Sequence, residues 1–61
     1  GRIPPDRNCA IKGNISSSGT RIFHEVGQKF YKRTGINTRK GERWFCSADE
    51  AVKAGWRKSR R

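Results

Sequence analysis

The sequence predicts a small α+β unit: a short antiparallel sheet of about three strands, closed by one C-terminal helix, Ser47–Ala54. Three observations predict it. Short runs rich in β-branched and aromatic residues, separated by Gly, Ser and Thr, read as strands. Ser47 with Glu50 three residues on forms a capping box, which opens a helix directly after an aromatic strand. The chain has 61 residues, 31% hydrophobic and 33% charged, so it can hold only one domain with a thin core. A domain of this size buries only about 60% of its unfolded surface.

The elements follow in order. Pro4-Pro5 favours extended chain and forbids a helix, so residues 1–8 read as a flexible linker. Cys9–Ile15 reads as the first strand, with Cys9, Ile11 and Ile15 on one face in a broken alternation. Gly13-Asn14 interrupts the alternation and marks a bulge. Ser16–Thr20 is a turn by composition, and Arg21–Val26 is the return arm of a hairpin. Ile22, His24 and Val26 then point one way, Phe23 and Glu25 the other. Gln28–Arg33 is either one helical turn or an irregular loop carrying Phe30 and Tyr31, at least one of which belongs to the core. Ile36 is a single apolar anchor before the polar run 37–40.

Arg43–Cys46 is the last strand expected. In the helix after it, Asp49 and Glu50 place negative charge in the first turn, where the helix dipole favours it. Gly55 is set to end the helix in the left-handed conformation, and Trp56 to fold back on Ala51. Residues 58–61 read as a basic tail without structure of its own, leaving residues 9–57 as the domain.

Charge is the dominant global property. Fifteen Lys and Arg oppose five Asp and Glu, a formal net charge of +10. Such a surface attracts polyanions: nucleic acid, acidic polysaccharide or an anionic membrane surface. No apolar run approaches the roughly 20 residues that span a bilayer, so membrane insertion is not expected. Gly1–Asp6 has no apolar segment of a targeting signal. A start at Gly1 in place of Met is what an excised fragment would show, and the compartment is not read directly from it.

The basic residues are the expected binding set. Lys29, Tyr31, Lys32 and Arg33 interleave cations with an aromatic, next to Phe30. Arg39, Lys40 and Arg43 follow closely, and Arg57, Lys58, Arg60 and Arg61 add charge after the helix. Cations serve phosphates, and exposed aromatic faces stack bases. A paired carboxylate centre for catalysis is not expected. Asp49 and Glu50 belong to the helix start, Asp6 to the linker, and Glu25 and Glu42 stand far apart in sequence. His24, the lone histidine, is expected to pack or hydrogen-bond within its strand, or to touch a phosphate.

Three blocks of sequence carry a family resemblance. C-A-I-K-G-N-I-S, R-I-F-H-E-V-G-Q-K-F-Y and G-E-R-W-F-C-S-A-D-E-A-V-K-A-G-W-R resemble, in this order, the sunset domain. That module is found at the C-terminal end of bacterial thermonuclease-like (staphylococcal-nuclease-type) proteins, some of them bearing the name of succinoglycan biosynthesis proteins. The likeness covers roughly residues 8–57. It implies an upstream OB-fold nuclease domain, with the Pro-Pro segment as interdomain linker. A more distant similarity is to the N-terminal zinc domain of the Ada DNA-repair protein, whose aromatic strand also runs into a Glu-rich helix start and an Ala-x-x-Ala-Gly-aromatic-Arg ending. Two of that family's four zinc cysteines, a C-x-x-C just after this motif, fall here on Arg57–Arg61, which has no cysteine. The likeness therefore implies an Ada-like fold without its metal, and no cofactor is expected.

Cys9 and Cys46 leave alternatives open: a disulfide between strands, two buried thiols, or zinc bound by Cys9, His24 and Cys46. The zinc set lacks an obvious fourth ligand. A disulfide would give a small domain the staple it needs, and would fit an exported or periplasmic protein. The expected function is a monomeric, non-catalytic accessory module that binds nucleic acid, DNA foremost, through phosphates with little sequence preference. The alternative is a structural module that docks on its own nuclease domain or on an acidic polysaccharide.

Overall fold

Alternation in Ile11–Ile15 and Arg21–His24 builds a hairpin, β1 and β2, around a tight turn in which the Ser16 and Gly19 amides donate to Thr20 and Ser16 carbonyls. A computed structural model describes all residues, Gly1–Arg61. Strand β3 (Arg43–Phe45), helix α1 (Ala48–Lys53) and strand β4 (Arg57–Lys58) complete the chain. The sheet order is β3-β1-β2-β4. The β1 strand pairs antiparallel with β2 and β3, and β2 pairs parallel with β4. The α+β class is therefore as expected. The sheet is mixed, with a fourth strand where the sequence suggests an unstructured tail.

That fourth strand has a topological cause. Strands β3 and β4 lie at opposite edges and run in the same direction, so the chain must cross the sheet between them. Parallel strands need such a crossover, usually helical, and α1 supplies it. Beyond β4, Ser59 donates its amide to the Phe23 carbonyl at 2.8 Å, and the Arg61 carbonyl accepts from Phe30 at 3.2 Å. At the other end, Gly1 and Ile36 exchange backbone hydrogen bonds of 2.5 and 2.8 Å.

Register assigns the faces, because directly opposed residues share one. Ile11 faces Phe45, and Gly13 faces Phe23; this side meets α1. Phe23, Phe45, Ala51 and Trp56 form the core, with Ile11, Ile15, Ala48 and Ala54 packed around them. The Phe45 and Trp56 rings meet edge to face at 5.4 Å. Gly13 is not a bulge: its pairing with Phe23 and Arg43 is uninterrupted. It is a site of close approach, since a Cβ there would lie 2.6 Å from Phe45 Cε2 and 2.9 Å from the Arg43 carbonyl.

The helix ends as its sequence dictates. Ser47 Oγ accepts the Glu50 amide at 3.1 Å. Gly55 adopts φ +92°, its amide bonding to Val52 and that of Trp56 to Ala51, each at 3.0 Å. This is a Schellman ending, and it delivers Trp56 into the core.

Candidate functional site

Three of the five acidic residues have partners within the protein, and the other two stand at the helix start. Asp6 Oδ1 accepts the Asn8 amide at 2.9 Å. Asp49 and Glu50 occupy the first turn of α1. Glu42 is buried, and its two oxygens accept the Ile15 and Asn37 amides at 2.8 and 2.9 Å. Glu25 meets Lys58 at 2.9 Å in the molecule's one ion pair. No group of acidic, His and Cys side chains is placed to share a metal ion.

The second face of the sheet gathers the cations. Residues 25–34 fold over it as successive turns, with amides of Gln28, Tyr31 and Thr34 donating to carbonyls of Glu25, Gln28 and Tyr31. These turns raise Phe30 beside the segment that follows β4. Gln28 Nε2 donates to the Ser59 carbonyl at 2.8 Å, and Phe30 to that of Arg61, so the two segments are laced together. Around the Phe30 ring stand Arg33 at 4.0 Å, Lys29 at 5.6 Å and Arg61 at 6.0 Å from its centroid. None of the three has a carboxylate partner. Between this ring and the sheet lies an open cavity of about 280 Å³, lined by Ile22, His24, Phe30, Arg57, Arg60 and Arg61.

The structure thus brings together Lys29, Arg33, Arg57, Arg60 and Arg61 of the expected binding set. Lys58 is occupied by Glu25. Tyr31 is turned inward: its hydroxyl donates to the Ala10 carbonyl at 2.5 Å, and its ring lies 4.2 Å from the Lys12 ammonium. Arg43 lies over Phe45, 4.6 Å from the ring centroid. Arg39 and Lys40 sit in a 3-10 turn, Thr38–Lys40, capped by the Asn37 side chain. They line a larger depression of about 610 Å³, shared with Glu42 and devoid of any aromatic residue. Lys32 is exposed and apart from both.

Two basic residues lie beneath this surface. The Lys12 side chain has no exposed area. Its ammonium donates to the Tyr31 carbonyl at 2.7 Å and lies between the Tyr31 and Trp44 rings. Burial pushes its pKa below the ordinary 10.5, and the charge of Arg2 adds to the fall. Opposite Lys12, His24 is buried, and burial followed by the Lys12 charge lowers its pKa below 6.5. Its Nε2 meets Asn14 Oδ1 at 3.0 Å. That oxygen only accepts, so Nε2 carries the proton, and Nδ1 is a bare acceptor without a partner. Sequence reasoning missed Lys12, because a lysine in an alternating strand reads as solvent-facing.

Cys9, just before β1, and Cys46, just after β3, form a disulfide across the end of that ladder. The zinc alternative of Cys9, His24 and Cys46 is thereby overturned. Both sulfurs are consumed by each other, and His24 is bound to Asn14.

No protein-family model, curated protein or solved structure matches the chain.

Proposed function

We propose that this chain is a non-catalytic nucleic-acid-binding module, favouring DNA, that holds its polymer through phosphate contacts with little sequence preference. The observation that carries the reading is the Phe30 ring set among Lys29, Arg33 and Arg61, three cations without a carboxylate. Like charges gathered without compensation repel one another, and a polyanion relieves that repulsion. The aromatic ring among them favours a polymer with stackable bases over an acidic polysaccharide.

The resemblance to the sunset domain supports the same reading. In it, catalysis belongs to a neighbouring thermonuclease-type domain, and this module raises the local concentration of substrate. The disulfide fits an oxidising compartment outside the cytosol.

The test is a titration of the chain with DNA across a range of salt. Log K is expected to fall linearly with log salt, with a slope of about −0.7 to −0.9 for each phosphate neutralised. Binding that ignores salt, or none at low ionic strength, overturns the reading. Tighter binding of a sulfated polysaccharide than of DNA at matched salt also counts against it.

A further inference from the structure

We propose that the cavity between Phe30 and the sheet seats one unstacked nucleotide of a single-stranded nucleic acid, with its phosphate on Arg57, Arg60 and Arg61 and its base against Phe30 and Ile22. The proposal rests on the nucleic-acid reading above and deepens it.

Two features of the cavity support it. Its volume, about 280 Å³, lies just below the roughly 300–1,000 Å³ typical of sites for drug-sized ligands, which suits a single nucleotide unit. Its lining divides by chemistry: guanidinium groups that match phosphate geometry, and apolar surface from Ile22 and Phe30.

The walls are already built. The Phe30-to-Arg61 and Gln28-to-Ser59 hydrogen bonds close one side, and the Ser59-to-Phe23 bond fixes the other to the sheet. Arg57 Nη1 makes one weak bond, to the Lys58 carbonyl at 3.3 Å, and its remaining donors stay available.

The same geometry disfavours a duplex. A base paired and stacked within a helix cannot enter a recess, whereas a splayed base of a single strand can. The major groove admits a helix or a two-stranded ribbon, but the β1–β2 hairpin is flanked by β3 and β4 and is not a free ribbon. The protein's one α-helix covers only Ala48–Lys53, buries Ala51 against the sheet and presents Asp49 and Glu50 in its first turn.

The experiment compares a short oligodeoxythymidine strand with a duplex of equal length, by anisotropy at fixed low salt. The single strand is expected to bind more tightly, and Phe30→Ala to weaken it about 5- to 150-fold, the range for loss of one base-aromatic stack. Phe30→Leu, which keeps apolar volume, should lose most of the same affinity while melting close to the parent. Arg60→Gln should reduce the salt slope by about 0.7.

Should the Phe30 variants not fold, amide shifts of the parent chain decide the matter. Oligodeoxythymidine is expected to move His24, Phe30 and Ser59–Arg61 most, and largest shifts at Arg39 and Lys40 overturn the proposal. Equal affinity for both forms, with Phe30→Leu unchanged, overturns it and leaves salt-dependent binding standing. Loss of salt-dependent binding to both forms overturns the nucleic-acid reading as well.

Discussion

Lys12 has no exposed area and no carboxylate partner. The Tyr31 carbonyl and two aromatic rings compensate in part, since a desolvated cation–π contact contributes about 2 kcal/mol. Burial, with the charge of Arg2 added, nonetheless lowers its pKa below 10.5. Linkage gives the sign. Between the depressed folded value and 10.5, the unfolded chain keeps a proton that the folded chain has released. Stability therefore rises with pH in that window, with a ceiling of about 1.4 kcal/mol per pH unit. Tyr31 opposes this only above its ordinary 10.0, because burial raises its pKa and favours the neutral phenol in the folded state. His24 acts at the other end: its pKa is lowered from 6.5, so stability falls as pH drops below that value. Urea denaturation followed as pH rises toward 10.0 should show the alkaline rise, and Lys12→Met should flatten it. A flat parent profile, or a slope that survives in Lys12→Met, would sink this account.

The central strand depends on a missing side chain. Gly13 lets Phe45 and Trp56 close over β1, and a methyl group there would have to displace an aromatic ring and the Arg43 carbonyl. Overpacking of this kind typically costs about 1–3 kcal/mol, so Gly13→Ala should lower the denaturation midpoint accordingly. An unchanged midpoint would show that the core yields freely. The position also marks the limit of sequence reading. A glycine within a strand signals either a bulge or a close approach, and only the partner across the ladder tells which. Helix α1 was fully legible, because Ser47, Glu50, Gly55 and Trp56 act over one turn at each end. Strand β4 was not, because Arg57–Lys58 gains its strand character from β2, which lies far back in the sequence. The Phe30 cluster was half legible for the same reason. Lys29 and Arg33 are sequence neighbours of the ring, whereas Arg57, Arg60 and Arg61 reach it through a crossover that composition does not announce.

At the scale of the whole molecule, the core is too thin to account for stability alone. Three of its nine buried residues are Lys12, His24 and Glu42, and burying an aromatic or aliphatic side chain contributes only about 1.5–3 kcal/mol. Only one ion pair accompanies a net charge of +10, so self-repulsion weakens the compact state further. The Cys9–Cys46 bridge, spanning 37 positions, counters both by restricting the unfolded chain. Loop-closure entropy for that span corresponds to about 4 kcal/mol, a large part of the roughly 5–15 kcal/mol that domains command in total. Cys46 is exposed, so reductant can reach the bridge without prior unfolding. Denaturation in parallel with and without reductant should therefore differ by about 3–4 kcal/mol, and the double variant Cys9→Ser/Cys46→Ser should match the reduced chain. Added salt should recover part of the loss in both, because it screens the repulsion that the bridge otherwise holds in check. A difference below about 1 kcal/mol would mean that the sheet and the Trp56 core hold the fold without covalent help.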